Sequence, residues 1–361
     1  MLASALMLAL AAPSAAKVKF KIEGRGFGHG VGMSQWGAYG FATEGRGAER
    51  IVSHYYRGTR VSRSVANRQI RILLSVRDRE IAFSGARAAC GKKLKPSKLY
   101  RAKLGGSKVS LTAGGGKRIA RCGTELVAAG KRGVSIAGDG SYRGNLVARA
   151  SGGDLLAINQ LPLDDYIKGV IPNESPASWP AAALEAQAIV ARSYALATDA
   201  GGSGFDQYDD TRSQVYGGRA SEQASTNRAA GKTAGKVVRY RGEVVPTFFF
   251  STSGGRTENV EFGFSGGAPK PYLRSVKDPH DDASPYHRWS LVMSRSQMES
   301  KLGDLVAGKL HKIKVTQTGV SPRIVRARVI GSAGSRSVSG PELRTRLGLR
   351  STWAKFKRVR R

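Results

Sequence analysis

The chain has 361 residues, 40% of them hydrophobic, which is enough for a sizeable core and argues against wholesale disorder. Its 59 Lys and Arg against 26 Asp and Glu give a net charge of +33, which points to polyanionic partners and says nothing about the fold. Two cysteines, Cys90 and Cys122, are too few for a four-ligand zinc site of their own.

Residues 1–16, MLASALMLALAAPSAA, read as the apolar core of a secretory signal with a small-residue cleavage site after Ala16, although the usual positive stretch before it is missing. A short buried helix is the alternative; the run is too short to span a bilayer, and no later stretch has the character of a membrane span. Export implies an oxidising compartment, so a Cys90–Cys122 disulfide is expected over two unpaired buried thiols. VKFKIEG then alternates as a strand and enters a glycine series at 24, 26, 28, 30, 32, 37 and 40. That density permits positive φ and close backbone approach, but it has no G-x-G-x-x-G register. IVSHYYRGTRV follows as a helix end and turn. QIRILLSV, REIAFSG, LYRAKL, KVSLT and YRGNLVARA are short β-rich runs between glycine turns, a small antiparallel β unit over 68–160 that carries both cysteines.

LLAINQ leads into the most informative segment, LPLDDYIKGVIPNESPASWPAAALEAQAIVARSYALATD at 161–199. Leu163, Tyr166, Ile167 and Val170 fall at helical spacing, predicting a helix over 163–171 that Pro172 and Pro176 break. Ser178 is the expected N-cap and Pro180 the first-turn residue of a second helix over 181–198, Ala-rich on nearly every face and so buried. Glu174 falls on the link between them, the setting of a general acid or base, or of a helix cap or arginine partner. Residues 201–220 are loop-like and 221–236 helical. VVRYRGEVVPTFFFS is a hairpin around Arg241-Gly242, and after it come a helix near 294–303 and the strands LHKIKVTQTG and RIVRARVIGS. Gly231-Lys232-Thr233 is no phosphate loop, because Thr226 stands where the upstream glycine belongs.

Three stretches resemble the SpoIID/LytB domain family, that of stage II sporulation protein D and the amidase enhancers. They are GVIPNESPASWPAAALEAQAIVARSYAL, FFFSTSGGRTENVEFGFSGGAPKPYLRSVKDPHDDASPYHRW at 248–289, and GRGFGHGVGMSQWGAYGFATEGRGAERIVSHYYRGTRV at 24–61. The resemblance covers roughly 17–61 and 155–360 and is weak over 62–154. It implies an α+β fold, in which 17–67 and 155–361 form a helix-containing core with mixed or antiparallel sheet and 68–154 an attached small β unit. In the familiar order the glycine series follows a C-terminal LRSTWF-like strand. Here LRSTWAKFKRV ends the chain, so the GHGVGMSQ segment reads as permuted to the N-terminus, and strands near 18–23 and 353–359 should be neighbours.

The resemblance further implies an exported, wall-associated protein that cleaves peptidoglycan glycan strands stripped of stem peptides as a lytic transglycosylase, with Glu174 as the one general acid/base. The alternative is a non-catalytic, wall-binding enhancer of a cell-wall amidase. His29, Ser34 and Gln35 would be the polar groups of the glycine series at the substrate, and Ser251, Ser253 and Gly254 would hydrogen-bond sugar. Tyr194 would join them, and Arg192 would orient Glu174 or hold a sugar substituent, unless it forms an internal salt bridge. His29 has a structural alternative too, serving a backbone carbonyl. Some family members bind zinc near the segment matching QYDDTRSQVYGG. That segment has no His or Cys here, so no metal and no cofactor is expected, and Asp209 and Asp210 read as turn caps before partners of Glu174. The basic charge suits anionic wall polymers or a membrane surface; no nucleic-acid-binding module signature accompanies it.

Overall fold

The computed structural model describes residues 18–63, 68–264 and 266–360; the expected signal segment, 1–16, lies outside them. The opening strand, Val18–Arg25, turns Phe20 and Ile22 inward by simple alternation and is the middle strand of three. Arg288–Ser294 pairs with one side of it and Ala354–Arg360 with the other, both antiparallel. The first and last described strands are therefore neighbours, the arrangement a permuted order requires.

Phe20 and Ile22 share a core with Met298 and Leu302 of the helix Arg295–Leu302, with Leu343 and Leu347 of the helix Gly340–Leu347, and with a sheet of Leu310–Thr318, Ile324–Gly331 and Gly334–Ser339. The first of these helices opens on a capping box made by Ser294 and Gln297. The second was not anticipated from sequence, although its signals are present: Ser339 caps it, Pro341 sits in its first turn, and Gly348 ends it at φ +65°.

The β-rich runs over 68–162 form two mostly antiparallel sheets. One orders 118–121, 108–113, 100–105, 80–84, 134–136 and 140–142; the other orders 207–208, 69–77, 154–162, 145–151, 125–129, 88–89 and 92–93. Cys90 and Cys122 are joined, with Cα atoms 5.3 Å apart. The buried side chains of these sheets form one core with the two central helices, α1 (Leu163–Glu174) and α2 (Ala181–Ala197). On α2, Leu184, Ala188, Ala191 and Ala195 face that core at helical spacing. Ala186, Ile189 and Val190 face a second core, built with Ile51, Val52 and Tyr55 of the helix Ala48–Tyr55 and with Val238. Burial on two sides explains a helix of small residues: larger ones would hold its neighbours apart.

The Arg241-Gly242 hairpin is present as a tight turn with both residues at positive φ, +50° and +92°. Its second arm is short, however. Glu243–Val244 pairs back, whereas Phe249–Phe250 leaves to pair, parallel, with Met33–Ser34. The molecule is α+β, and among the described residues no helix is long and apolar enough to cross a membrane.

The disulfide closes a loop with a sequence separation of 32 residues. Replacing both cysteines by serine should lower unfolding stability by about 3–4 kcal/mol in the chain-entropy account, read as a shift of the denaturant midpoint. An unchanged midpoint would mean that the sheets hold that loop without it.

Candidate functional site

Helix α1 runs two residues past the expected break. Pro172 lies inside its last turn, where only the hydrogen bond from its missing N–H is lost, and the helix closes through Ser175 N–H to the Ile171 carbonyl, 2.9 Å. Glu174 is thus the last helical residue rather than part of a free link. The next helix starts without Ser178: Pro180 is its N-cap, and its carbonyl accepts from Ala183 N–H at 3.0 Å.

Three features act on the Glu174 carboxyl. Burial raises its pKa above the ordinary glutamate value, and hydrogen bonding from Val215 N–H and Gln35 pulls it partly back. Val215 N–H donates to Oε1 at 3.1 Å. The position at a helix C-terminus, where the backbone dipole disfavours negative charge, acts in the same sense as burial. Gln35 Nε2 donates to the Glu174 carbonyl at 2.8 Å, across 139 residues of sequence.

The glycine series delivers Gln35 to this place. Gly26, Gly28, Gly30 and Gly32 all lie at positive φ, so every second residue takes a conformation that side chains resist. Ser34 then caps the helix Gln35–Thr43 by accepting from Gly37 N–H at 3.1 Å, and is itself fully buried. A Cβ on Gly37 would stand 2.1 Å from the Tyr55 hydroxyl and 2.3 Å from Asp278 Oδ1, so this helix can only dock there with glycine. Beyond Gln35, the half-buried rings of Trp36, Tyr39 and Trp179 cluster with centroids 5.1 to 5.4 Å apart. Tyr194 packs edge-on to Phe248 and Phe249, and the Glu174 charge adds to the burial that raises its pKa.

Several expected sugar contacts are taken up internally. Both ring nitrogens of His29 engage backbone: Nε2–H donates to the Phe249 carbonyl at 3.0 Å and Nδ1 accepts from Val31 N–H at 3.1 Å. Burial pushes its pKa down to about 4, so the ring is neutral and has no free polar atom for a ligand. Arg192, 1% exposed, bonds Asp164 Oδ1 at 2.7 Å and the carbonyls of Ala188, Ala230 and Lys236; it is an internal salt bridge. Ser253 is fully buried, donating to Asp281 Oδ2 at 2.9 Å and accepting from Gly255 N–H. Ser251 is half-buried; its carbonyl accepts from Trp36 N–H at 3.0 Å, and its hydroxyl meets that of Thr252. Gly254 donates to Asp281 Oδ2 and lines a surface cavity with Arg25 and Trp353. Asp210 does cap its turn, accepting from Arg212 N–H at 2.9 Å. Asp209 is raised to about 6, chiefly by burial, in the loop whose Val215 holds Glu174.

The largest omission from the sequence reading is a buried acidic pair. Asp278 accepts from the Tyr55 hydroxyl at 2.8 Å; Asp281 accepts from Ser253, Gly254 N–H and His287 Nδ1, the last at 2.8 Å. Burial, then the neighbouring Asp281, push Asp278 up to about 7. The two aspartates stand three apart in DPHDD, but a short acidic run on a polar loop gives no sign of burial.

Residues 151–240 match the SpoIID family model, described as Stage II sporulation protein. The chain is similar to Stage II sporulation protein D of Bacillus subtilis (strain 168), 30% identical over 219 residues that cover 56% of this chain and 62% of that one. It is also similar to the Amidase enhancer of the same strain, 41% identical over 152 residues, 42% of this chain and 20% of that protein. An uncharacterized protein of Brachyspira hyodysenteriae is 31% identical over 183 residues, 50% of this chain and 48% of its own. The chain thus spans less than two thirds of each relative's length. The family resemblance carried by the segment around Glu174 is therefore a domain-level match.

The Asp278 carboxyl, at about 7 in the folded state and near 3.8 unfolded, holds a proton on folding that the unfolded chain has lost. Its stability contribution is complete below the lower value and is lost as pH rises through 7. Asp278→Asn, which keeps an acceptor for Tyr55 and cannot ionise, should be more stable than wild type at pH 8 by thermal melting and close to it at pH 4. A constant difference between the two pH values would refute this.

Proposed function

We propose that this protein acts at the bacterial cell wall, in a sporulation- or wall-related role like that which its relatives' names indicate, and that it cleaves peptidoglycan glycan strands as a lytic transglycosylase. The observation that carries this reading is Glu174: a largely buried carboxyl, raised in pKa, at a helix end. Oε1 accepts from Val215 N–H, so the proton to be donated is placed on Oε2. Two carboxylates are the rule for glycoside hydrolysis, and a single acid suits intramolecular transfer better.

In this mechanism Glu174 Oε2–H protonates the glycosidic oxygen as the bond to the anomeric carbon breaks. The resulting carboxylate takes the proton of the sugar's C6 hydroxyl, whose oxygen closes the anhydro ring on the anomeric carbon. Gln35 positions the end of α1, and the rings of Trp36, Tyr39 and Trp179 suit the C–H faces of sugars. The chain would work outside the cytoplasm, exported by residues 1–16.

A second reading has its own support. With His29, Arg192 and Ser253 taken up internally, the polar sugar contacts are few, which suits a wall-binding enhancer of a separate amidase. Glu174→Gln separates the two. On purified denuded glycan it should cut release of anhydro-ended fragments by at least about 100-fold, the usual worth of a general acid, with an unchanged melting temperature. Equal product from wild type and variant would leave the enhancer reading.

The pH profile tests the same residue. Rate should fall as pH rises through the Glu174 pKa, because the proton to be donated is lost, and this limb should lie above the ordinary glutamate range. Gln35→Ala removes a group that lowers that pKa, so it should move the limb to higher pH while reducing kcat. A limb that stays in place would show that Gln35 has no bearing on the carboxyl.

A further inference from the structure

The outer face of the terminal sheet is strongly basic for reasons the strand pattern alone does not supply. Opposite Phe20 and Ile22, the opening strand presents Lys19, Lys21, Glu23 and Arg25. Register sets Arg25 directly against Arg288 and Lys21 directly against Lys357. Like charges in directly opposed positions destabilise a sheet. Lysines on edge strands can serve to block aggregation, but Lys19, Lys21 and Arg25 are on the middle strand, where no edge needs blocking.

The face continues into two adjoining cavities that share Arg25 and Trp353. One, of about 560 Å³, also takes in Arg288, Trp289 and Lys355; the other, of about 720 Å³, takes in Gly254, Arg256 and Lys277. Among the described residues, no carboxylate lies within ion-pairing distance of Arg25, Arg288, Lys355, Lys357, Arg256 or Lys277, while Glu23, the acid on this face, pairs with Lys21 at 2.6 Å.

The aromatic rings here hold cations rather than standing open. The Arg25 guanidinium lies 5.4 Å from the Trp353 ring centre, and that of Arg350 lies 4.2 Å from Tyr286. The indole N–H of Trp289 donates to the Gly26 carbonyl at 2.8 Å. Rings covered in this way favour fixed, forked donors for phosphate over base stacking, which disfavours nucleic acid. A membrane surface is disfavoured because, among the described residues, the exposed large hydrophobic side chains of this face and its two cavities are two isolated valines, Val292 and Val320, and because the site is concave.

We infer that this face binds a phosphodiester-linked polymer of polyol or sugar units, laid along the strand Val18–Arg25 and into the cleft at Trp353. The site is separate from Glu174 and stands whether or not Glu174 is catalytic. It gives part of the chain's basic excess a location and a ligand class.

Calorimetric binding of purified poly(glycerol phosphate) at several salt concentrations tests it. Arg288→Ala with Lys355→Ala should weaken binding at least tenfold at low salt and make the dependence on log salt shallower by about 1–2, as expected for losing two phosphate contacts. Glu23→Gln should tighten binding, and this arm decides if the double variant melts at a lower temperature. Glu174→Gln should bind as wild type, as should the distant control Arg118→Ala with Arg121→Ala. Equal weakening by the control pair, or no gain from Glu23→Gln, would overturn the proposal. So would tighter binding of a single-stranded oligonucleotide, or of anionic lipid vesicles, with the same dependence on Arg288 and Lys355.

Discussion

The double pairing of the strand Val18–Arg25 is the constraint on which the rest depends. It is hydrogen-bonded on both sides to strands more than 260 residues later in the chain. Long-range pairings of this kind are entropically costly to close, and they are held here by a shared core beneath Phe20 and Ile22. Once the strand is fixed, the glycine series that leaves it has little freedom. Phe27 exchanges two backbone hydrogen bonds with Thr252, Met33–Ser34 pairs with Phe249–Phe250, and Gln35 arrives at Glu174. One strand thereby anchors the candidate acid's nearest long-range partner on one side and the basic cleft on the other.

A buried polar clamp reinforces that path. The guanidinium of Arg323 is fully buried, donating to the carbonyls of Ser253 and Arg256 and lying close to Glu258, which in turn accepts from Ser321. Desolvation drives its pKa down to about 10, still far above neutrality, so the charge persists inside the protein. Together with Asp281, which ties Ser253, Gly254 and His287, this network fixes the 251–256 loop from below. Buried charges are tolerable only when hydrogen-bonded in this way, and the cost of removing one partner falls on those left behind. The hydroxyl of Ser253 belongs to this clamp, which is why it is not offered to a ligand.

At Glu174 opposing effects are kept in balance. Burial and a helix C-terminus favour the protonated acid, while Val215 N–H and Gln35 favour the anion. The proposed mechanism, in which this carboxyl gives and then takes a proton, relies on such a balance, since either effect alone would fix it in one state.

What the sequence determined by itself was local. Apolar spacing and punctuation marked α1, α2 and most strands, because helix and strand periods are written in neighbouring residues. Arg241-Gly242 announced its turn, and the segment around Glu174 carried the family resemblance. Tertiary structure decided what each polar group does. Whether Arg192 meets a sugar or Asp164, whether His29 Nε2 is free, and whether Asp278 is buried all depend on partners tens to hundreds of residues away. The same holds for Val215, whose contribution to Glu174 is a backbone N–H that any residue but proline would supply. Side-chain identity is written in the sequence; desolvation and hydrogen-bond partners are properties of the packed chain, and they set the chemistry of the site.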